Sequence, residues 1–227
     1  RPDAMSHIGI AREVGALLHK QIKIPKFRLR ESTESIRKYA SVVVKDRINC
    51  PRYTARVVKG IKVSSSPAWL QSFLQSIGIR PINNVVDVTN YVLWEIGQPL
   101  HAFDYDKLEG GKIVVKCADE GEKFLTLDGK ERILSSETLM ICDGSRSVAA
   151  AGVMGGINSE ISEATTNILI ESAYFKAQSI RRTSRMLGLS TDASQHFERG
   201  TDPNITAWAA ERAACLIQET CGGEILR

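Results

Sequence analysis

The segment from Arg80 to Asp104, RPINNVVDVTNYVLWEIGQPLHAFD, constrains the fold more than any other part of this chain. Its valines and leucine recur at the spacing of one helix face, and Asn83 or Asn84 supplies a side-chain oxygen that can cap the helix start. Gly97 then favours a helix end, and Pro99 prevents the helix from continuing. The segment therefore predicts a helix with one buried face, followed at once by a polar stretch.

Polar residues within and after this predicted helix suggest a site. Asp87, Thr89 and Asn90 lie among β-branched residues, where a helix that needs only a packed face does not require them. His101 follows, and an imidazole can hold a water or move its proton. From the residues alone two interpretations stay open, because Thr89 and Asn90 also fit helix-surface hydrogen bonding and His101 fits a structural pair with Asp104.

The rest of the chain mixes strand and helix patterns without regular βαβ alternation. This order predicts an α+β fold with largely antiparallel sheets and packed helices. We expect a helix and a basic connector over residues 1–40, and a main domain of two intimately packed subdomains over 41–227. The predicted strands lie in SVVVK, RYTARVVKGIKV, KIVVKC, KFLTLDGKERIL, TLMICDG, SVAAAGVMGG and NILIES, and further helices in PAWLQSFLQSIG, Lys176–Leu187 and Asn204–Thr220.

Composition narrows the class of protein. The chain has 227 residues, 43% hydrophobic and 25% charged, and no apolar run of 18 residues. These values predict a soluble globular protein without a membrane span. The five cysteines are odd in number and form no CxxC pair, which favours buried free thiols over zinc ligands. The net charge of +4 is compatible with RNA binding but is a weak signal.

Glu171 ends the apolar run Ile168–Ile170 in the sequence ILIES. A carboxylate at the end of a buried strand is expected to be partly desolvated, which is unfavourable unless it has a partner. An arginine such as Arg181 or Arg182 is one candidate partner, and a ligand is the other. The two arginines also fit either a solvated basic face or phosphate contacts. Arg80 fits either a cap of the sheet or a contact with the end of a bound RNA.

Two small-residue or polar segments complete the candidates. Ala150–Gly156, AAGVMGG, permits close backbone approach to a ligand or forms a tight sheet corner. It is not followed by the GK[ST] of a phosphate-binding loop. Gly188–Asp202 reads as a polar loop that enters a helix, with His196, Glu198 and Arg199 as structural pairs.

Several motifs, spread in order over nearly the whole chain, carry a resemblance to a known family. The chain resembles the editing region of the β subunit of bacterial-type phenylalanyl-tRNA synthetase, and its fold is expected to be that of this editing domain. The motifs are RPDAMSHIGIAREVGAL, PRYTARVVKGI, VVDVTNYVLWEIGQPLHAFD, AAGVMGG, ILIESAYF, GLSTDASQHFERGTDP and CGGEI.

The resemblance implies an activity and residue roles. The activity is hydrolysis of tyrosyl-tRNA(Phe), which removes tyrosine attached to the phenylalanine tRNA. The alternative is a non-catalytic scaffold that positions tRNA and supports subunit assembly. The implied site residues are His101, Thr89 and Asn90 for catalysis, Glu171, Gly152, Gly155, Thr191 and Ala193 for the amino acid, and Arg80, Arg181 and Arg182 for tRNA.

The same resemblance implies partners and a wider context. The expected partners are tRNA(Phe) and the α subunit, in an assembly of two α and two β subunits in the cytoplasm. Neither DNA nor a membrane is an expected partner. ATP and Mg²⁺ belong to the aminoacylation reaction of the whole ligase, and no cofactor or metal is expected in this chain. The missing initiator Met further suggests an excised fragment.

Physical chemistry makes a hydroxyl-selective site sensible. Phenylalanine and tyrosine differ by one hydroxyl, and an apolar pocket rejects an added hydroxyl only about 10²-fold. A second site cannot exclude by size, because tyrosine is the larger molecule. A buried acceptor can select for the hydroxyl, since phenylalanine would leave it unpaired at a cost of roughly 1–3 kcal/mol. Glu171 is the residue to which the resemblance assigns this role.

Overall fold

The computed structural model describes all residues from 1 to 227 and has the expected α+β class. The helices are α1 (His7–Leu17), α2 (Ala68–Ser76), α3 (Asn84–Ile96), α4 (Ala177–Leu187), α5 (Asp192–Arg199) and α6 (Thr206–Cys221). The strands are β1 (Ser41–Val44), β2 (Arg52–Lys59), β3 (Leu100–Asp104), β4 (Lys112–Cys117), β5 (Lys123–Leu125), β6 (Glu131–Ile133), β7 (Leu139–Cys142), β8 (Ser147–Ala150), β9 (Met154–Gly155), β10 (Asn167–Tyr174) and β11 (Glu224–Ile225).

The strands form two main sheets and one small hairpin. The first sheet has the order β11-β2-β10-β3 and is antiparallel throughout. The second has the order β1-β4-β7-β8-β9, in which only the β1–β4 pair is parallel. Strands β5 and β6 pair alone as a hairpin. The prediction of largely antiparallel sheets is therefore confirmed.

The first sheet separates two hydrophobic cores. Side chains of a strand point alternately to its two faces. On β10, Ile168 and Ile170 pack in the core that also holds residues of α3 and α6. Leu169 belongs instead to the core that contains the second sheet, together with Phe103 of β3. Strands β2, β3 and β10 thus contribute to both cores, and one face of this sheet looks toward the second sheet.

Helix α3 begins and ends as its sequence predicts. Asn83 is the cap, and its Oδ1 accepts hydrogen bonds from the amides of Val85 and Val86 at 3.1 and 2.9 Å. Gly97 ends the helix with a φ of +83°, a left-handed conformation that favours glycine. The polar stretch after Pro99 differs from expectation, because it forms strand β3 along the edge of the first sheet. Pairing with β10 supplies backbone hydrogen bonds that no local pattern reveals.

The N-terminal region runs along the surface of the main domain. Helix α1 contacts α3, and the connector then follows the C-terminal strand. Ser32 donates its amide to the Ile225 carbonyl at 2.8 Å, and Ile36 donates to the Arg227 carbonyl at 2.7 Å. A domain boundary at residue 40 stays a prediction.

All five cysteines are free, and four of them are buried. None of the helices combines the length and the apolar character that crossing a membrane requires.

Candidate functional site

Strand pairing places Glu171 and His101 side by side. Glu171 of β10 is the direct partner of His101 of β3, so both side chains lie on the face that looks toward the second sheet. Gly155 of β9 covers the imidazole, and Ala193 of α5 lies at the same cavity. The cavity has about 370 Å³ of empty volume, including a part open to solvent. It brings together five predicted residues, His101, Glu171, Gly152, Gly155 and Ala193.

Glu171 is a buried acid with one hydrogen-bond partner in the protein. Glu171 is only 6% exposed, and its Oε2 accepts a hydrogen bond from the Tyr53 hydroxyl at 2.6 Å. The proposed arginine partners are wrong, since Arg181 and Arg182 bond elsewhere. Burial raises the pKa of Glu171 to about 7, although the Tyr53 hydrogen bond acts in the opposite direction. Both the ionised and the protonated form are therefore populated near neutral pH.

His101 is a neutral imidazole held by packing. Its ring lies edge-on to Phe103, with centroids 4.5 Å apart and an interplanar angle of 77°. The expected structural pair with Asp104 is absent, because Asp104 Oδ2 accepts a hydrogen bond from Thr165 at 2.7 Å instead. Although the cavity leaves the residue partly exposed, the surrounding protein lowers the pKa of His101 to about 4. The ring can therefore offer one donor and one acceptor nitrogen at neutral pH.

The close packing around positions 152 and 155 leaves no room for a side chain, so both positions require glycine. A Cβ at Gly155 would lie 2.7 Å from Cε1 of His101, so the absence of a side chain lets the imidazole reach the strand. Gly152 has a φ of +65°, and a Cβ there would lie 2.8 Å from the Phe197 ring. The tight sheet corner and the pocket wall, which the sequence left as alternatives, are thus the same segment.

Three other predicted site residues lie outside the cavity lining. Thr89 is buried on α3 and donates its hydroxyl to the Val86 carbonyl at 2.7 Å. Asn90 follows it on α3 and is half-buried. Thr191 caps α5 by accepting from the Ser194 amide at 3.1 Å and donates to a backbone carbonyl of the Gly152 loop at 2.9 Å. Thr191 therefore holds the backbone of Val153, which lines the cavity.

Comparison with known proteins assigns the chain to a family. A family model described as "B3/4 domain" matches residues 49–222.

This chain belongs to the B3/4 domain family.

Its sequence is 53% identical over 227 residues to the phenylalanine–tRNA ligase beta subunit of Syntrophus aciditrophicus, covering 100% of this chain and 28% of that protein. It is 50% identical over 226 residues to the subunit of the same name from Bacillus cereus, again with 28% of that protein covered. The chain thus spans under a third of the relatives that it matches. The resemblance to the β subunit of phenylalanyl-tRNA synthetase is confirmed.

A solved structure gives a weaker match. An N-terminal fragment of the phenylalanyl-tRNA synthetase beta-subunit from Pyrococcus horikoshii aligns with a TM-score of 0.46 and 17% identity, covering 83% of this chain and 58% of that chain. The α+β class of this B3/4 domain follows from its own elements and strand order.

The predicted tRNA-contacting arginines of this B3/4 domain differ in their surroundings. Arg80 is exposed after α2, and none of the protein's hydrogen bonds or ion pairs involves its side chain. On α4, Arg181 donates to the Glu198 carbonyl at 2.9 Å. Arg182 forms an exposed ion pair with Glu137 at 2.8 Å. All three guanidinium groups reach the surface, and contact with tRNA stays a prediction.

The sequence did not identify Tyr53 or Phe197 as parts of the site. Tyr53 lies on β2, where its pattern indicated only a strand. Phe197 lines the cavity from α5, and its ring packs edge-on against Phe175 at 5.0 Å. Residues at every second position of a strand share one face, but this alternation does not show which acid on a neighbouring strand the face meets. Only the register between β2 and β10 reveals the Tyr53–Glu171 contact.

A larger cavity of this B3/4 domain lies elsewhere. It has about 1360 Å³ of empty volume, including open solvent, between the N-terminal helix and the segment before α6. Asp3, Arg12 and Asp202 are its charged residues, and none of the predicted site residues borders it. The smaller cavity is the candidate site, because it combines a buried acid with an imidazole on the neighbouring strand.

Proposed function

We propose that this chain is the editing region of a phenylalanyl-tRNA synthetase β subunit and that it hydrolyses tyrosyl-tRNA(Phe). One observation carries the proposal, namely the placement of Glu171 and His101 as direct cross-strand neighbours at a single cavity. The 50–53% identity to ligase β subunits supports it. Buried titratable pairs in a cleft mark functional sites more often than other positions do.

Glu171 is the proposed sensor of the tyrosine hydroxyl. Its Oε2 is occupied by Tyr53, while no hydrogen bond within the protein reaches Oε1. A tyrosyl group can donate its phenolic proton to Oε1. A phenylalanyl group leaves this buried oxygen without a partner, which costs about 1–3 kcal/mol. The site thereby binds the amino acid that an apolar synthetic pocket fails to reject.

His101 is the proposed holder of the attacking water. The neutral imidazole can accept a hydrogen bond from water through one nitrogen and orient it toward the ester carbonyl. Gly152 and Gly155 line the same cavity, and we propose that backbone amides at its wall stabilise the developing oxyanion. No covalent intermediate is proposed, and the ribose hydroxyl of the substrate shares the proton transfer. The resemblance implies a catalytic role for Thr89 and Asn90. We propose instead that these two residues support the site from helix α3.

The proposal extends to the whole ligase. We propose that aminoacylation with ATP and Mg²⁺ takes place outside these 227 residues, and that the α subunit is a partner in a two-α, two-β assembly. Arg80, Arg181 and Arg182 are proposed to contact tRNA(Phe) through its phosphates. The proposed compartment is the cytoplasm, where protein synthesis requires accurate aminoacyl-tRNA.

Deacylation of mischarged tRNA tests the assignment. The full ligase that carries this segment is mixed with tyrosyl-tRNA(Phe), and ester loss is followed with time. Glu171→Ala is expected to slow deacylation about 10- to 100-fold, because the phenol loses its acceptor. His101→Ala is expected to slow it about 100-fold, because the water loses its orientation.

The matched control is Glu163→Ala, which removes an exposed acid and should leave the rate unchanged. Unchanged rates in both site variants would remove the assigned site.

A non-catalytic scaffold is the second candidate. It is favoured by one observation, that Thr89 and Asn90 do not reach the cavity, which leaves His101 as the one residue of the implied catalytic set that lines it. A salt-dependent tRNA-binding curve without any hydrolysis would establish the scaffold in place of the editing site.

A further inference from the structure

Tyr53 makes the only hydrogen bond that the protein offers to the carboxylate of Glu171. The Tyr53 hydroxyl lies 2.6 Å from Oε2, and no ion pair involves this carboxylate. Tyr53 is the partner of Ala173 in the β2–β10 register, one diagonal step from Glu171 on the same face. A short hydrogen bond between neighbouring strands fixes the rotation of the carboxylate. We propose that Tyr53 is the positioning residue of the acid, holding Oε2 so that Oε1 faces the cavity.

Tyr53 keeps its proton and donates a hydrogen bond to the Glu171 carboxylate. Burial, and secondly the charge of Glu171, raise the pKa of Tyr53 well above its usual value of 10.0, so the phenol keeps its proton. A carboxylate that accepts from Tyr53 on one oxygen is ready to accept a second phenol on the other. A protonated acid would instead turn its own hydroxyl toward one of the two phenols. The hydrogen bond from Tyr53 therefore favours the ionised carboxylate of Glu171, in which each oxygen can accept one hydrogen bond. This form selects a phenol over a phenyl ring.

This inference rests on the proposed function, and it adds a specificity-determining residue to that function. The ligand class that it names is an aminoacyl group with a phenolic hydroxyl. The core around Tyr53 does not require the hydroxyl, because the ring packs against the apolar cluster of the second sheet. Tyr53→Phe thus removes one oxygen atom and leaves the ring in place.

The test compares deacylation of tyrosyl-tRNA(Phe) and phenylalanyl-tRNA(Phe) by the full ligase and its Tyr53→Phe variant. The ratio of the two kcat/KM values is expected to fall about 5- to 100-fold, the range of one lost hydrogen bond to a buried acid. The low-pH limb of the tyrosyl reaction is expected to move to higher pH, because the pKa of Glu171 rises when the hydrogen bond that lowers it is removed. A role in packing alone would not move that limb.

The matched control is Tyr105→Phe. The Tyr105 hydroxyl donates to the Tyr39 carbonyl at 2.7 Å, and its ring packs against the same core. Its removal should leave the ratio and the pH profile unchanged. A wild-type ratio and an unmoved acid limb in Tyr53→Phe would overturn the inference while the proposed function stands.

Two further measurements separate the inference from the function. In a double-mutant cycle, adding Tyr53→Phe to Glu171→Gln should change the ratio no further, because Tyr53 acts through the carboxylate. Titration of ¹³C-labelled glutamate in the 227-residue chain should show a higher pKa for Glu171 in Tyr53→Phe than in wild type. A wild-type ligase that fails to deacylate sinks the proposed function, and the titration then decides the positioning role, which an unshifted pKa would overturn.

Discussion

The two faces of strand β10 differ in their chemistry. On one face, Ile168 and Ile170 pack with α3 and α6 in a core without ionisable side chains from this strand. On the other, Glu171 lies between Tyr53 and His101 beside a cavity. Successive residues of one strand thus experience opposite chemistry. The face that carries the site replaces an apolar side chain by an acid at residue 171, while Leu169 and Ala173 of the same face still pack in the core of the second sheet.

The largest expected effect comes from placing an acid on the apolar face. Ile170→Glu would bury a carboxylate with no polar partner, so we expect a loss of about 4 kcal/mol or more in the free energy of unfolding. Urea unfolding at pH 7 measures it. Ile170→Val is the control and should cost about 1 kcal/mol. If Ile170→Glu unfolds at nearly the wild-type urea concentration, the two faces are not as different as the structure shows.

The next effect comes from neutralising the acid on the site face. The pKa of Glu171 is about 7 in the folded protein against its ordinary value of 4.5, so the native state holds the proton more tightly and wild-type stability falls as pH rises from 4.5 to 7. Glu171→Gln lacks this loss. Between pH 4 and pH 8, the difference in unfolding free energy should shift by about 3 kcal/mol in favour of the variant.

Thermal unfolding over this pH range checks the shift, with Glu163→Gln as the exposed control. A difference that stays constant with pH would contradict the raised pKa and, with it, the burial of the charge.

The smallest effect has the opposite sign and belongs to the imidazole. Burial lowers the pKa of His101 from 6.5 to about 4, so the native state resists protonation and wild-type stability falls as pH drops from 6.5 through 4. His101→Gln should gain on the order of 2 kcal/mol over wild type between pH 7 and pH 4, reduced by the exposure of the ring to the cavity.

Unfolding curves at these two pH values measure the gain. His19→Gln, at an exposed position, should show no such change. Equal pH dependence in both variants would mean that the imidazole of His101 is as well hydrated as a surface histidine.

Local sequence patterns predicted much of the fold. The Asn83 cap and Gly97 end of α3, the strand at Ile168–Glu171 and the Gly188 end of α4 all depend on neighbouring residues, and all appear as predicted. The strand at Leu100–Asp104 was missed, because it forms by pairing with a partner about 70 residues away in the sequence.

The candidate site divides in the same way. The resemblance to synthetase β subunits named Glu171, His101 and the two glycines, and the structure brings these to one cavity. It also named Thr89 and Asn90, which lie on α3 and do not reach the cavity.

By itself, the sequence determined the family through its motifs. It also determined the α+β class, the helix ends and the buried position of Glu171, because caps, glycines and strand periodicity act over a few residues. Only the tertiary structure decided that Glu171 meets Tyr53 instead of an arginine, and that His101 is its cross-strand neighbour. These contacts depend on the register of three strands from distant parts of the chain. That register is set by which faces can be buried together, and no short stretch of sequence contains this information.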